Sequence, residues 1–463
     1  MTRAPKCPTG SSRPATGRSE EETTIAVEGS AGSIGIFAIL LLLALDHGAA
    51  CAADTTKNTA DASPPAAEFN AFERAFLRES ALTLHLRSYY LDRMQPIPPG
   101  PAAWAGGGWL GYQSGWLGNL LRVGLTGYTS QPLWAPLDRD GSQLLKPGQQ
   151  GYTVLGEANV QLKLWEQVFT AHRQRVDLPE VNSYDIRMTP QTFEGYRLAG
   201  RVRDFGYTFG YLDQMKPVNS DRFFNFAAVA GAPAGVSEPL WFAGLGYNPV
   251  KDFTARLSSY HVPNILTSTY TDFVWLRPVS DAFALRLGGQ FMVQGSAGAN
   301  LLTGSSFDTW SGGTQADLIL GPLTASIAYT QTGTGAAYRT PYGGWAGYTS
   351  MILQDFNRAG ETAWLVGAAL DFAGVNLPGL SFFANAVSGR NAIDPMIGGR
   401  LSDNNEYDFT LDYRFVASHW PEHLRPLWIR ARAVRLEEKL NGSTSVTKDY
   451  RIIVNYEWVF KYR

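Results

Sequence analysis

Several segments of the chain alternate between apolar and polar residues, and this period of two constrains the fold more than any other feature. Alternation places one set of side chains on each face of a β-strand. It occurs at residues 82–87, 406–415, 427–433 and 450–460. The apolar set of the second segment is Tyr407, Phe409, Leu411, Tyr413 and Phe415. These segments are close to the ~10 residues that a tilted strand needs to cross a bilayer.

The two faces of these strands differ in a way that favours a membrane barrel over a soluble β-sandwich. A sandwich would bury its apolar faces against a second sheet. Here the polar faces are heavily ionised, whereas the apolar faces carry Tyr, Trp and Phe near strand ends, as lipid-facing aromatic girdles do. An open sheet edge in hydrocarbon would leave backbone groups unpaired, so the sheet must close. At ~22 residues per strand and connector, the chain predicts an all-β, transmembrane antiparallel β-barrel of about 18 strands.

The connectors are also typical of an outer-membrane barrel, which has short turns at one end and long loops at the other. Short turns are predicted at residues 202–204 and 278–281, and long irregular stretches at 212–240 and 295–310. The sequence shows no change of composition that would divide this region. We therefore predict one barrel domain spanning residues 66–463.

The N-terminal region resembles an export signal. An apolar run at residues 34–45 is too short for a spanning helix, which needs ~20 residues. It is followed by Ala50-Cys51-Ala52, an A-x-A site that predicts cleavage before Ala53. We assign residues 1–52 to the export signal region and 53–65 to a flexible leader. A lipidated Cys51 is the alternative interpretation.

The sequence offers no motif for catalysis or metal binding. It lacks G-x-S-x-G, H-E-x-x-H, a Walker loop and C-x-x-C. Its six histidines have no third ligand at a useful spacing. The net charge of -2 does not indicate a nucleic-acid partner. We therefore predict no catalytic residue, no metal site and no cofactor.

Arginines on the polar strand faces are the informative candidates for function. Arginine keeps its charge at physiological pH, and its planar guanidinium matches a carboxylate. A row of such groups could pass an anion from one weak site to the next. The alternative is that each arginine pairs with Asp408, Asp412, Glu406 or Glu457 and only stiffens the wall. The predicted basic ladder comprises Arg87, Arg414, Arg430, Arg432 and Arg451.

Six short stretches spread over nearly the whole mature chain are Leu-Arg-Ser-Tyr-Tyr (86–90), Tyr-Gln-Ser-Gly-Trp (112–116), Pro-Gln-Thr-Phe-Glu-Gly (190–195), Leu-Gln-Asp-Phe-Asn-Arg-Ala (353–359), Val-Asn-Leu-Pro-Gly-Leu (375–380) and Arg-Ile-Ile-Val-Asn-Tyr (451–456). In this order they resemble the OprD family of outer-membrane porins, the carboxylate channels. The resemblance implies an 18-stranded barrel with an inward-folded third loop and a basic ladder that guides carboxylates. It places the constriction loop at residues 176–192. Its polar candidates are Asp177, Tyr184, Asp185 and Arg187.

Together these features predict an outer-membrane porin through which small carboxylate-bearing solutes diffuse, such as amino acids and aromatic or other organic acids. We expect a monomer in contact with outer-membrane lipid and lipopolysaccharide. The alternatives are a barrel enzyme acting on membrane lipids and a structural barrel with a plugged lumen. The ending Phe460-Lys461-Tyr462-Arg463 departs from the usual terminal aromatic residue, and Phe460 is the expected assembly signal.

Overall fold

The structure is a computed structural model that describes residues 69–96, 98–280 and 282–461. The predicted export signal and leader lie outside these residues, as do Tyr462 and Arg463. No helix in the described part of the chain is long and apolar enough to cross a membrane.

Eighteen long strands form one closed antiparallel sheet, and a nineteenth strand of two residues, β8, pairs with β7 inside a loop. Closure joins β1 to β19, with Leu82 opposite Phe460 and Met94 opposite Lys448. The strands are β1 Ala81–Met94, β2 Ala102–Gln113, β3 Leu121–Trp134, β4 Tyr152–Leu164, β5 Gln167–Gln174, β6 Thr192–Val202, β7 Phe205–Lys216, β8 Phe224–Asn225, β9 Leu240–Val250, β10 Phe253–Val262, β11 Leu266–Ser280, β12 Phe283–Ser296, β13 Asp308–Leu320, β14 Leu323–Thr332, β15 Thr362–Asp371, β16 Leu380–Arg390, β17 Asp403–Arg414, β18 Leu427–Leu440 and β19 Ser443–Lys461. The predicted barrel and its strand number are therefore confirmed.

The helical segments are short. Helix α1, Ala71–Glu73, begins at a capping box in which the Asn70 and Glu73 side chains accept each other's backbone N–H groups, and it runs into a π-helical turn. Helix α2 lies in the loop after β8. The bounds are α2 Phe226–Ala230, the π-helical turn Arg74–Arg78, and 3-10 turns Leu137–Arg139, Phe372–Val375 and Glu422–Leu424.

Alternation sets the two faces of the wall as the sequence predicts. In β17, Tyr407, Phe409 and Leu411 point outward and are exposed, whereas Asp408 and Asp412 are buried on the lumen side. The longest loops, at 135–151, 175–191, 217–239 and 333–361, lie at one end of the barrel, and most connectors at the other end are short turns. The strict alternation breaks at the tight turns 263–265 and 441–442, which lie at the long-loop end, and at the longer connector 415–426 at the other. One predicted short turn, at residues 278–281, lies later in the chain: β11 continues to Ser280, with a register shift between Pro278 and Ser280, and β12 begins at Phe283. A bulge accommodates Pro278 because proline has no N–H to donate to the neighbouring strand.

A large apolar cluster fills one side of the lumen. It joins the walls of β6, β7 and β9–β11 to side chains from three loops that fold inward. Tyr342 sits at its centre, with its ring against those of Phe226 and Tyr260 at 5.1 and 5.4 Å. The other side of the lumen, toward β1 and β16–β19, carries the charged residues described below.

The assignment of strand faces predicts how much stability is lost when a charged residue replaces a lipid-facing one. Phe409 lies mid-strand on the outer face of β17, so Phe409→Arg should lower the free energy of unfolding in lipid vesicles by about 2–4 kcal/mol. Gln315→Arg on β13 is the matched control, because Gln315 faces the lumen beside Asp317. Denaturant titration of both variants tests this expectation, and equal losses would contradict the face assignment.

Candidate functional site

Residues 175–191, between β5 and β6, form a loop that folds into the barrel and is called the constriction loop here. One part reaches β1, where Arg87 donates to the backbone O of Arg187 at 2.5 Å. Another part reaches β11, where Ser268 Oγ donates to the Glu180 carboxylate at 3.0 Å. The loop lies one residue earlier than the predicted segment 176–192, because it begins at Arg175 and Thr192 already belongs to β6. It therefore spans the lumen from one wall to another.

A cavity of about 680 Å³ lies between this loop and the wall formed by β1 and β16–β19. We call it the arginine cavity. Seven of the residues predicted from the sequence line it: Arg87, Tyr184, Asp185, Arg187, Arg430, Arg432 and Arg451. Alternation brings Arg430 and Arg432 to the same face of β18, and the register of the sheet places Arg432 opposite Arg451.

Two predicted residues are not part of the arginine cavity. The Arg414 guanidinium lies at the exposed end of β17 and stacks on the Trp428 ring at 4.6 Å. Arg430 stacks on the same ring, also at 4.6 Å, so the indole is associated with two cations. Asp177 is exposed and lines a separate space between the constriction loop and residues 344–346.

Most arginines around the cavity already have an acidic partner. Arg430 donates to both Asp412 oxygens at 2.6 Å, and Arg451 Nε donates to Asp449 at 2.6 Å. Arg87 bonds both oxygens of Asp185, at 2.6 and 3.0 Å. Part of the predicted ladder therefore follows the alternative interpretation, in which arginines pair with acids along the wall. Of the four acids named for that interpretation, only Asp412 pairs with one of these arginines.

Arg432 differs from these neighbours. In the described ranges no carboxylate forms an ion pair with it, and its buried Nε has no hydrogen-bond partner. Its cross-strand neighbours are Thr410 and Arg451, so the strand register supplies a second cation and no acid.

Arg187 also lacks an acidic partner among the described residues, and it holds the end of the constriction loop. Its guanidinium donates to the backbone oxygens of Ser142 and Ile186, each at 3.1 Å. Burial lowers the pKa of Arg187 to about 10, so the side chain keeps its charge at neutral pH.

A second inward-folded loop, which sequence reasoning missed, completes the site. Residues 333–361, between β14 and β15, form what we call the inner loop. Its backbone N–H groups at Leu353 and Gln354 donate to the Glu406 carboxylate at 2.7 and 2.9 Å, and that of Ile352 donates to Asp408 at 3.0 Å. These two acids therefore hold the inner loop instead of pairing with arginines. The only sequence signal was the family-like stretch at 353–359.

Other lumen arginines were also missed, and several of them are paired across strands. Arg256 of β10 bonds Asp272 of β11, and Arg286 of β12 donates to Asp317 of β13 at 2.6 Å. The alternating pattern of these strands is weaker than in the terminal strands, which is why the sequence did not single them out. Arg197 of β6 is not paired in this way: no described carboxylate forms an ion pair with it, and its buried Nε has no hydrogen-bond partner.

No group of three or more histidine, cysteine, aspartate or glutamate side chains in the described ranges is arranged to hold a metal ion. His85 lies on the lumen side within hydrogen-bond distance of Glu457 and Asn455, at 3.0 and 3.1 Å. Its ring stacks on Trp109 with centroids 3.7 Å apart.

Residues 74–460 match the profile of the family described as outer membrane porin, OprD family. The chain belongs to the OprD family of porins. The resemblance found in the sequence is thereby confirmed, and the porin lies in the bacterial outer membrane.

Porin D of Pseudomonas aeruginosa is 24% identical over 422 residues, which cover 83% of this chain and 91% of that protein. The barrel is similar to the crystal structure of P. aeruginosa OpdK with vanillate, with a TM-score of 0.73 and 21% identity over 83% of this chain and all of that chain. It is also similar to P. aeruginosa OccK3 (OpdO), with a TM-score of 0.70 and 20% identity over 85% of this chain and all of that chain. These structural similarities establish the fold.

The anchoring of the inner loop generates a prediction. Glu406→Ala removes the acceptor of two backbone N–H groups, so the inner loop should withdraw in part and the single-channel conductance should rise. Planar-bilayer recording in KCl measures this change. Glu437→Gln on β18 is the control, because Glu437 bonds only Arg435 and Lys439 on its own strand among the described residues. Unaltered conductance of the Glu406 variant would show that the loop is held by other contacts.

Proposed function

We propose that this porin lets small carboxylate-bearing solutes diffuse through the outer membrane, with Arg432 as the principal binding group. The observation that carries the proposal is the Arg432 guanidinium, which faces the arginine cavity without an acidic partner among the described residues. A partly buried cation is costly unless it is paired, and a carboxylate supplies two oxygens in the geometry that guanidinium prefers.

The neighbouring arginines extend this site into a path. Arg430, Arg451 and Arg87 are each neutralised in part by an aspartate, so each attracts an anion more weakly than Arg432 does. Conduction requires sites that attract a solute without trapping it. An unpaired cation beside paired ones fits that requirement, because a carboxylate can exchange between neighbouring guanidinium groups.

The cavity also contains groups that would recognise the rest of an organic acid. Trp345 and Trp428 line it, and their buried indole N–H groups have no hydrogen-bond partner. Asp185 lies on the constriction loop beside Arg87 and could attract the ammonium group of an amino acid. The similar OpdK was crystallised with vanillate, which supports an organic acid as a solute. We include amino acids and aromatic acids in the proposed range.

We further propose that the barrel acts as a monomer and is not an enzyme. Every barrel strand is paired on both sides within one chain, so closure needs no second copy. Both ring nitrogens of the lumen-facing His85 are engaged by side chains, which leaves this histidine poorly placed to act as a base. Outward-facing aromatic residues are suited to contact with lipid and lipopolysaccharide.

The proposal predicts that Arg432→Gln lowers carboxylate flux about tenfold, equivalent to ~1.4 kcal/mol, because one charge-assisted hydrogen-bonding group is lost. Liposome uptake of benzoate and glutamate, with reversal potentials in KCl gradients, measures flux and anion preference. Arg203→Gln, in the exposed β6–β7 turn, is the matched control and should behave like the wild type.

Arg432 is a sharper test than Arg430, because Arg430→Gln would also strip Asp412 of its partner. Wild-type carboxylate flux and ion preference in Arg432→Gln would overturn the proposal.

A further inference from the structure

Glu180 occupies an unusual position at the centre of the constriction loop. The residue is 2% exposed and lies next to Val181, a member of the apolar cluster that fills one side of the lumen. The aromatic ring of Tyr342 and the wall residues of β10 and β11 belong to the same cluster. A carboxyl group is therefore embedded in the packing that holds the loop in place.

The Glu180 carboxyl joins three separate elements. Ser268 of β11 donates to its two oxygens at 3.0 Å each, and Tyr338 of the inner loop donates to Oε1 at 2.6 Å. Ser268 Oγ and Tyr338 Oη are themselves 2.5 Å apart. This side chain therefore connects the constriction loop to the barrel wall and to the inner loop at one point.

The groups facing Glu180 provide hydroxyls and no positive charge. They are Ser268 from β11, Tyr338 from the inner loop and, as the further titratable neighbour, Tyr260 from β10. No lysine, arginine or histidine of the described residues forms an ion pair with it. Other buried acids are compensated by a cation: Asp449 by Arg451, and Glu361 by Arg358. Glu180 thus lacks the cationic partner that these acids have.

We propose that Glu180 is a proton-operated latch, whose neutral form keeps the constriction loop packed against the wall and the inner loop and whose ionisation releases it. A neutral carboxyl can donate one hydrogen bond and accept another within the hydroxyl cluster. An ionised one needs water or a cation, and the apolar cluster supplies neither. Hydrating the carboxylate requires the two loops to separate, which widens the path between them. This inference rests on the proposed channel function and concerns its regulation.

The direction of the pH effect follows from linkage. Burial raises the pKa of Glu180 from its ordinary 4.5 to about 7, whereas hydrogen bonds from Tyr338 and Ser268 lower it less. The latched form therefore holds a proton that the released, hydrated form gives up. Between pH 4.5 and 7 the ratio of released to latched channels rises by up to tenfold per pH unit, and above 7 it levels off.

The latch predicts a pH-dependent conductance. In planar bilayers with symmetrical KCl, the wild-type channel should conduct at least about twofold more at pH 7.5 than at pH 5, with the change complete near pH 7–8. Glu180→Gln has no ionisable group and should give the low conductance at every pH. Glu180→Leu, which suits the apolar surroundings, should do the same and serves if the Gln variant folds poorly. Glu166→Gln, at an exposed acid in the β4–β5 turn, should titrate like the wild type.

Three outcomes would overturn the latch: a wild-type conductance that does not change with pH, a wild-type rise retained by both Glu180 variants, or loss of the rise in the Glu166 control. The test is separate from that of carboxylate selectivity. A channel whose flux depends on Arg432 but whose KCl conductance is indifferent to pH rejects the latch alone. A pH-dependent conductance with flux independent of Arg432 rejects the carboxylate proposal alone.

Discussion

Pairing of backbone hydrogen bonds in a medium without water is the constraint on which the rest of this structure depends. Each unpaired N–H or C=O in hydrocarbon costs several kcal/mol, so the sheet must close on itself. The antiparallel pair of β1 and β19 achieves this closure in continuous register from Ala81 to Met94. Closure brings Arg87 near the end strands that carry Arg432 and Arg451, and so assembles the arginine cavity from both ends of the chain.

Closure also creates an interior that the wall alone cannot fill. The inward-folded loops divide this interior into an apolar side, centred on Tyr342, and a charged side around the arginine cavity. Apolar packing positions the constriction loop, while hydrogen bonds to Glu406 and Asp408 position the inner loop. The width of the path is therefore set by loop anchors that lie away from the arginines themselves.

The sequence predicted the features that depend on local periodicity. Alternation alone places Arg87, Arg430 and Arg432 on the lumen side, because a residue's face in a strand is decided by its parity. It could not predict which acid each arginine meets, since that depends on register between strands far apart in sequence. Arg432 faces Thr410 and Arg451, and a shift of two residues would have placed it beside Asp412 or Asp408.

The inner loop and the latch lay beyond sequence reasoning for a related reason. The contacts of Glu180 with Ser268 and Tyr338 join residues 88 and 158 positions apart, and an irregular loop has no period from which such contacts could be inferred. Family resemblance located the constriction loop, but its polar candidates did not include Glu180.

Charge compensation distinguishes Arg432, the proposed solute-binding residue, and Glu180, the proposed latch, from most other buried charges. Most buried charges in the lumen are matched by a neighbour, as Asp272 is by Arg256 and Asp317 by Arg286. Matched pairs stiffen the wall and change little when a solute passes or the pH shifts. Arg432 forms no ion pair with a described carboxylate and so favours an anion from outside. Glu180 has no cationic partner among the described residues either. Because its carboxyl group lies in apolar packing, binding of a proton is what removes its charge. The same lack of compensation thus predicts solute binding at a hydrated cavity and proton binding in an apolar cluster.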